Sequence, residues 1–243
     1  MAKQVGELKL TGTLDNLVFY KKGNEYFVKS KPKPIGKKYH KDPKYARQRA
    51  NNELFVKSVM ANKLLRDSLG PVLSSIISVP VGQITKMFRQ YYGIHQFEDE
   101  PGNEDLSFFK GFHLSEKRRI DSILSWPILS SLDRNSGHFR IIMPELNDCS
   151  IRAPKDATHF QVTIAVSAID PGKKVSKMEM DTSPMVPVPG EPLASISLSV
   201  RIPELPGSML FGVMAIQFFQ KVTEEPWPLG RTQNAAVILQ AGN

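Results

Sequence analysis

The chain has 243 residues, 41% hydrophobic and 23% charged, with a formal net charge of +8. This length can bury a sizeable core, and the composition is that of a globular protein, which excludes a chain disordered throughout. The single cysteine, Cys149, excludes an intramolecular disulfide, and the start MAKQVGELKL lacks the apolar run of a signal peptide. We therefore expect a cytoplasmic protein without a membrane span.

The positive charge is concentrated near the N-terminus. Residues 1–66 contain 16 lysines and arginines against 5 aspartates and glutamates, whereas residues 67–243 contain 16 against 19. Such asymmetry predicts an anionic partner, which is nucleic acid, a membrane surface or the acidic face of another protein chain. The acidic remainder of a second copy would supply such a face.

The first predicted element is a β-hairpin, whose strands run from Leu14 to Tyr20 and from Glu25 to Ser30 around a Gly23-Asn24 turn. Apolar side chains follow one another in these strands instead of alternating with polar ones, so both faces need cover. The candidate partner-binding residues are Leu17, Val18, Phe19, Tyr20, Tyr26, Phe27 and Val28. Helices and sheet of the same chain are one source of cover, and a neighbouring subunit, including one that pairs with a strand edge, is the other.

The stretch KSKPKPIGKKYHKDP follows, and its prolines and repelling charges predict an extended linker. On such a linker, each lysine can face a phosphate and the tyrosines can stack on single-stranded bases. The candidate anion- or nucleic-acid-binding residues are Lys29, Lys31, Lys33, Lys37, Lys38, Tyr39, Lys41, Lys44, Tyr45, Arg47 and Arg49. No recognition-helix or RNA-binding motif accompanies them, so binding would be independent of sequence. A solvated linker, or an arm docked on an acidic neighbour, is the alternative.

Helices are predicted next. Asp42 caps a helix that begins at Pro43 and ends at Gly70-Pro71. Its apolar side chains at helical spacing are Val56, Val59, Met60 and Leu64. One or two shorter helices, interrupted near Pro80, precede an acidic loop at residues 98–105, and short strand pieces and loop are expected after it.

From about residue 138 the apolar pattern changes to a period of two. THFQVTIAVSAID and SISLSVRI alternate apolar with polar or small residues, which is typical of sheets with one side in a core and the other in water. The sequence therefore predicts an α+β fold, with a basic hairpin, linker and helical region at 1–135. An antiparallel β-sandwich domain of the Ig-like type follows at 136–243.

Several blocks resemble one protein family. These are LDNLVFYKKGNEYFVKSKP, ANNELFVKSVMANKLLRDSL, FKGFHLSEK, APKDATHFQVTIAVSAID, LFGVMAIQFFQKV and NAAVILQAGN. They are similar to blocks of uncharacterised Bacteroidota proteins with a G-N-x-V-x-Y…Y-x-R-x-K-P start and a β-rich C-terminal half. The chain departs from this start at Asp15, where glycine is usual, and at Lys29, where arginine is usual. The resemblance implies the layout of the domains and no activity.

Signatures of catalysis are absent from the sequence. The histidines at 40, 95, 113, 138 and 159 show no metal-ligand spacing, and the acidic cluster at 98–105 lacks the spacing of a calcium loop. We expect no cofactor, no metal and no small-molecule substrate. The first hypothesis is a non-enzymatic structural or assembly protein, a homo-oligomer that associates through the hairpin and basic arm into a ring, filament, appendage or virion-like particle. A sequence-independent nucleic-acid-binding protein and an enzyme with an unrecognised site are the alternatives.

Overall fold

The structure is a computed structural model that describes residues 2–31, 36–76, 78–94, 106–125, 128–145, 151–188, 195–222 and 225–242. It combines helices with several antiparallel sheets, so the predicted α+β class is confirmed. The chain divides into two compact units, Met1–Ala50 and Asn51–Asn243. The domain boundary predicted between residues 135 and 136 falls inside the second unit and stays a prediction.

The first unit contains a small antiparallel sheet. Its strands are β1 (Ala2–Lys3), β2 (Gly12–Leu14), β3 (Leu17–Lys22) and β4 (Glu25–Ser30), in the order β1-β4-β3-β2. β3 and β4 form the predicted hairpin, with Lys22 paired to Glu25 across a two-residue loop. Gly23 has a φ of +63° there. A positive φ at the first loop residue is a feature of type II′ turns and favours glycine.

Helices follow the sheet. They are α1 (Gly36–Lys41), α2 (Ala46–Ser68), α3 (Gly70–Leu73), α4 (Val81–Ile94) and α5 (Ile120–Ile123), with short 3-10 turns at Pro43–Tyr45 and Ser107–Phe109. As predicted, the Asp42 side chain caps the turn that leads into α2, and it accepts the Lys44 N–H at 3.1 Å. Gly70-Pro71 ends α2 but also begins α3, because proline is compatible with the first turn of a helix.

The predicted apolar side of α2 is partly wrong. Val56 and Val59 are exposed, whereas the buried residues are Ser58, Ala61, Asn62, Leu64 and Leu65. The buried side includes a polar residue because the Asn62 amide donates to the Val81 carbonyl (2.9 Å) and to the Thr85 hydroxyl (2.7 Å) of α4. A hydrogen-bonded asparagine can be buried at low cost, and apolar spacing alone does not reveal it.

Two further sheets form the second unit. Their strands are β5 (Leu129–Asp133), β6 (His138–Met143), β7 (His159–Asp170), β8 (Val175–Thr182), β9 (Val186–Pro187), β10 (Ile196–Arg201), β11 (Met209–Lys221), β12 (Pro226–Pro228) and β13 (Ala235–Gly242). The small sheet has the order β10-β6-β5, and the large one the order β12-β11-β7-β8. β13 also pairs with β11, and β9 with β7. All of these pairs are antiparallel.

The large sheet is covered on both sides. One apolar cluster joins the small sheet to one side of β7 and β11, through Phe139, Ile164 and Met214 among others. A second cluster joins α2 and α4 to the opposite side, through Leu65 and Phe211 among others. The expectation of a wet side on β7 is therefore corrected at Ala165 and Ser167, which are fully buried. On β10 the predicted alternation holds, since Leu198 and Val200 are buried while Ser197, Ser199 and Arg201 are exposed.

Candidate interaction surface

The register of the hairpin assigns its side chains to two faces. Phe19 lies opposite Val28, and Tyr20 opposite Phe27. Directly opposite residues point to the same side of a sheet, and successive residues point to opposite sides. The apolar face carries Leu14, Leu17, Phe19, Tyr26 and Val28. The ring-lysine face carries Lys3, Val18, Tyr20, Lys22, Phe27 and Lys29.

The seven hairpin residues singled out from the sequence therefore lie in one sheet, but on different faces. The apolar face holds Leu17, Phe19, Tyr26 and Val28, and the ring-lysine face holds Val18, Tyr20 and Phe27. Lys21 points to the same side as Tyr26, and its Nζ lies 5.6 Å from the centroid of that ring. The apolar face therefore carries fewer charged side chains than the ring-lysine face.

This sheet is poorly covered. None of the described residues from 2 to 31 is buried. The apolar residues Val5, Leu8, Leu10, Leu14 and Leu17 keep 41–85% of their surface exposed. Val5, Leu8 and Leu10 precede the hairpin and were missed in the sequence, because apolar residues in a loop follow no period.

The loop that carries these residues is held to the hairpin by Gln4. Its side-chain amide donates to the carbonyls of Leu10 and Phe27, each at 3.1 Å, and its oxygen accepts the Leu10 N–H at 2.9 Å. The Gln4 backbone N–H also donates to the Tyr26 carbonyl at 2.9 Å. These bonds join both ends of the loop, at Gln4 and Leu10, to each other and to β4.

The basic segment is folded in its second half. The prediction of an extended linker is wrong for Gly36–Lys41, which forms the single-turn helix α1. The chain contracts here because the rings of Tyr39 and Tyr45 lie 5.7 Å apart. Arg49 Nη1 also donates to the carbonyls of Tyr39 (2.6 Å) and Asp42 (3.1 Å). Local contacts of this kind outweigh the charge repulsion that predicts an extended chain.

The predicted cations have different surroundings. Lys44 Nζ lies 3.3 Å from an Asp42 carboxylate oxygen, and this hydrogen bond raises the pKa of Lys44. Lys31, Lys41 and Arg47 are exposed, and the Lys31 N–H donates to the Asn16 carbonyl. Lys37 and Lys38 lie in α1, and Lys33 lies outside the described residues. Arg49 and Lys44 thus take part in local structure, whereas three other cations face solvent.

A pocket in the second unit is the other candidate site. It has a volume of about 410 Å³ and lies beside the start of α4, with Gln83, His113, Glu116 and Arg119 in its lining. Arg119 donates to both carboxylate oxygens of Asp121, at 2.8 and 3.1 Å, and His113 Nε2 lies 3.7 Å from one of them. Its size is in the range of small-molecule sites.

Beside this pocket, His113 lies next to the ion pair formed by Arg119 and Asp121. Burial lowers the pKa of His113, and the nearby Arg119 lowers it further. The hydrogen bond from Arg119 lowers the pKa of Asp121. The hydroxyl of Ser115, which also lines the pocket, donates to the Arg118 carbonyl, so it is not poised as a nucleophile. The arrangement lacks a nucleophile-base pair in its described lining.

The remaining residues of chemical interest are histidine, cysteine and acidic side chains outside this pocket. His159 begins β7, while Cys149, His95 and the acidic cluster at 98–105 lie outside the described residues. No group of three or more histidine, cysteine, aspartate or glutamate side chains suited to a metal occurs in the described ranges. No helix in the described part of the chain combines the length and apolar content needed to cross a membrane.

Comparisons with protein-family models, with curated proteins and with solved structures found no match to this chain. The resemblance to the Bacteroidota family therefore stays a prediction from the quoted blocks.

Proposed function

We propose that the protein is a non-enzymatic structural or assembly protein that binds further copies of itself through the N-terminal hairpin and the basic segment. The observation that carries the proposal is the open apolar face of the first unit. Leu14 and Leu17 are a cross-strand pair on this face and are 67% and 41% exposed. Apolar patches held on an ordered sheet are typical of protein-protein interfaces.

The edges of the same sheet offer a second means of association. β1 and β2 are the outer strands and have only two and three residues. In the described part of the chain, the ladder of β2 ends at Phe19 of β3 and that of β1 at Val28 of β4, so the outward backbone groups of Lys21 and Ser30 lie beyond these ladders. A strand from another copy could extend the pairing there, in addition to covering the apolar face. The ring, filament, appendage or virion-like particle predicted from sequence would be built by repeating this contact.

The second unit would be the rigid body of each subunit. We propose for it the finer description of an Ig-like sandwich, in which β5-β6-β10 faces β8-β7-β11-β13. The strand order supports this, since β7, β11 and β13 are neighbours in one sheet and β6 and β10 in the other. Immunoglobulin-type domains divide their strands between two packed sheets in a comparable way. The apolar cluster between the two sheets also supports it.

The test is the molar mass in solution. Size-exclusion chromatography with light scattering should give a mass that rises with protein concentration, and electron micrographs of the largest species should show a regular assembly. The double variant Leu14→Gln, Leu17→Gln should shift the distribution to smaller species. A wild-type protein that stays monomeric at the highest concentration would refute the proposal.

A matched control comes from the second unit. Leu129 and Ile142 are also an exposed cross-strand pair, 62% and 47% exposed, on the small sheet. Leu129→Gln, Ile142→Gln removes a similar amount of exposed apolar surface and should leave the mass distribution unchanged. Equal effects of both double variants would show that general surface hydrophobicity, not the apolar face, drives association.

The expected size of the effect follows from exposure. The exposed fractions of Leu14 and Leu17 add to about one leucine side chain, whose burial is worth roughly 1.5–3 kcal/mol. If two copies bury this surface against each other, the loss is about 3–6 kcal/mol per contact. That corresponds to a dissociation constant raised about 10²- to 10⁴-fold, which light scattering resolves easily.

The second candidate function is sequence-independent nucleic-acid binding by the basic segment. Exposed Lys31, Lys41 and Arg47 favour it, because counterion release needs accessible cations. The structure does not favour an extended arm whose tyrosines stack on bases. Tyr39 contacts Tyr45, and Arg49 donates to two backbone carbonyls, so this part of the segment is folded.

A further inference from the structure

The centre of the ring-lysine face is a pair of aromatic rings. Tyr20 and Phe27 lie directly opposite each other on β3 and β4, with ring centroids 5.8 Å apart and planes inclined by 26°. Both side chains are half-buried. The register fixes them side by side near the middle of the hairpin, where they form a small aromatic surface on a sheet.

Lysines surround this pair. Lys3 lies opposite Phe27 on β1, Lys22 follows Tyr20 by two residues, and Lys29 follows Phe27 by two residues. Lys29 Nζ is 5.1 Å from the centroid of the Tyr20 ring. Glu25 is the acidic residue of this face and forms an ion pair with Lys3. The face therefore keeps two lysine charges in excess, those of Lys22 and Lys29.

We propose that the ring-lysine face is a binding surface for single-stranded nucleic acid. A base would stack on the Phe27-Tyr20 surface, and the flanking phosphates would contact Lys22 and Lys29. Aromatic rings on a sheet bind bases of any sequence, because every base has a π-face, and lysines neutralise the backbone. Lys29 is the residue that this surface shares with the basic arm predicted to bind nucleic acid.

Charge complementarity selects this occupant over a second copy of the chain. An apolar partner would leave the charges of Lys22 and Lys29 without counter-ions at the contact, which is costly if they are desolvated. An acidic peptide would satisfy the lysines but gains little from two rings. A single strand uses both features, whereas the bases of a duplex are already stacked on one another. The inference does not depend on the contact tested through Leu14 and Leu17, which lie on the opposite face of the sheet.

The probe is a fluorescein-labelled 20-mer of deoxythymidine, and the readout is fluorescence anisotropy during titration with the full-length protein at several salt concentrations. Phe27→Leu should lower the affinity about five-fold or more, the effect of losing one stacking ring. Tyr26→Leu changes the neighbouring residue on the apolar face and should have a much smaller effect. Far-UV circular dichroism checks that both variants keep the sheet.

A variant that removes charge tests the same surface independently, in case Phe27→Leu disturbs folding. Lys22→Gln, Lys29→Gln should weaken binding and reduce the slope of log affinity against log salt by about 1.4, because each phosphate contact contributes about 0.7 for single strands. Lys21→Gln, Lys155→Gln removes the same net charge from the opposite face of the sheet and from the second unit, and should change the slope much less. A duplex of equal length should bind more weakly than the single strand.

Several results would overturn the inference. These are an absence of binding at low salt, equal losses in the two lysine variants, duplex binding as tight as single-strand binding, or displacement of the oligonucleotide by poly-glutamate at equal charge. Self-association can fail or succeed without changing these outcomes, because its test alters Leu14 and Leu17 on the other face.

Discussion

The contact between Gly212 and Phe139 gives a sharp test of how the two sheets of the second unit pack. Gly212 lies in β11, at a register shift in the pairing with β13, and Phe139 lies in β6 of the small sheet. A Cβ atom at position 212 would lie 2.6 Å from Phe139 Cε2 and 2.9 Å from two other ring atoms. Gly212→Ala therefore forces the ring to move, or separates the sheets.

The cost follows from these distances. The ring must retreat by about 0.8 Å to reach an ordinary contact of 3.4 Å, yet Phe139 is fully buried in a close-packed cluster. Overpacking of this kind costs about 1–3 kcal/mol, and the lower chain entropy of alanine returns less than about 1 kcal/mol. We expect a net loss of about 1–2 kcal/mol. For a unit of this size that is a fall in Tm of about 2–8 °C.

The assay is urea unfolding followed by circular dichroism, with the free energy of unfolding compared between variants. Gly93→Ala in α4 is the control, since a Cβ there meets nothing within 4 Å, and it should stabilise the protein slightly. Phe139→Leu should partly rescue Gly212→Ala, so that the double variant loses less than the sum of the single losses. Wild-type stability in Gly212→Ala would refute the packing of this ring against β11.

Two further predictions concern the second unit. His113→Gln should flatten the fall in stability as the pH drops below about 6.5: because burial lowers the pKa of His113, the unfolded chain binds its proton first and unfolding is favoured on acidification. Unfolding curves between pH 7 and 5 check this, and an unchanged pH dependence would contradict it. Asn234→Ala should cost about 2–4 kcal/mol in urea unfolding, because it leaves the Phe218 N–H and the Ser75 carbonyl unpaired; a loss below about 1 kcal/mol would show that these groups find other partners.

The strands of the second unit could be predicted from the sequence because alternation identifies a strand with one covered side. β10 fits this pattern, and β7 fits it on one side. The covering of the other side of β7 could not be foreseen. Ser167 is buried because its hydroxyl hydrogen-bonds to that of Ser68 on α2, and a serine in the sequence is normally interpreted as exposed.

The candidate surface was only partly predictable. Consecutive apolar residues in the hairpin indicated that both faces need cover, but they did not distinguish the faces. That distinction depends on the pairing of Tyr20 with Phe27, which the two-residue loop at Gly23-Asn24 sets. The helix α1 could not be predicted, because the prolines and lysines of this segment favour an extended chain. The contact between Tyr39 and Tyr45, which forms across a turn, is not visible in the composition.

The apolar strands of the two units are covered to different extents. β11 and the hairpin are both apolar at consecutive positions, but β11 receives the small sheet on one side and α2 and α4 on the other. The first unit has only 50 residues, and none of the described residues in its sheet reaches burial. Small units have too little chain to enclose two apolar faces. Folding therefore buries β11 on both sides, whereas the hairpin keeps one apolar and one cationic-aromatic face, on which the proposed self-association and the proposed nucleic-acid binding depend.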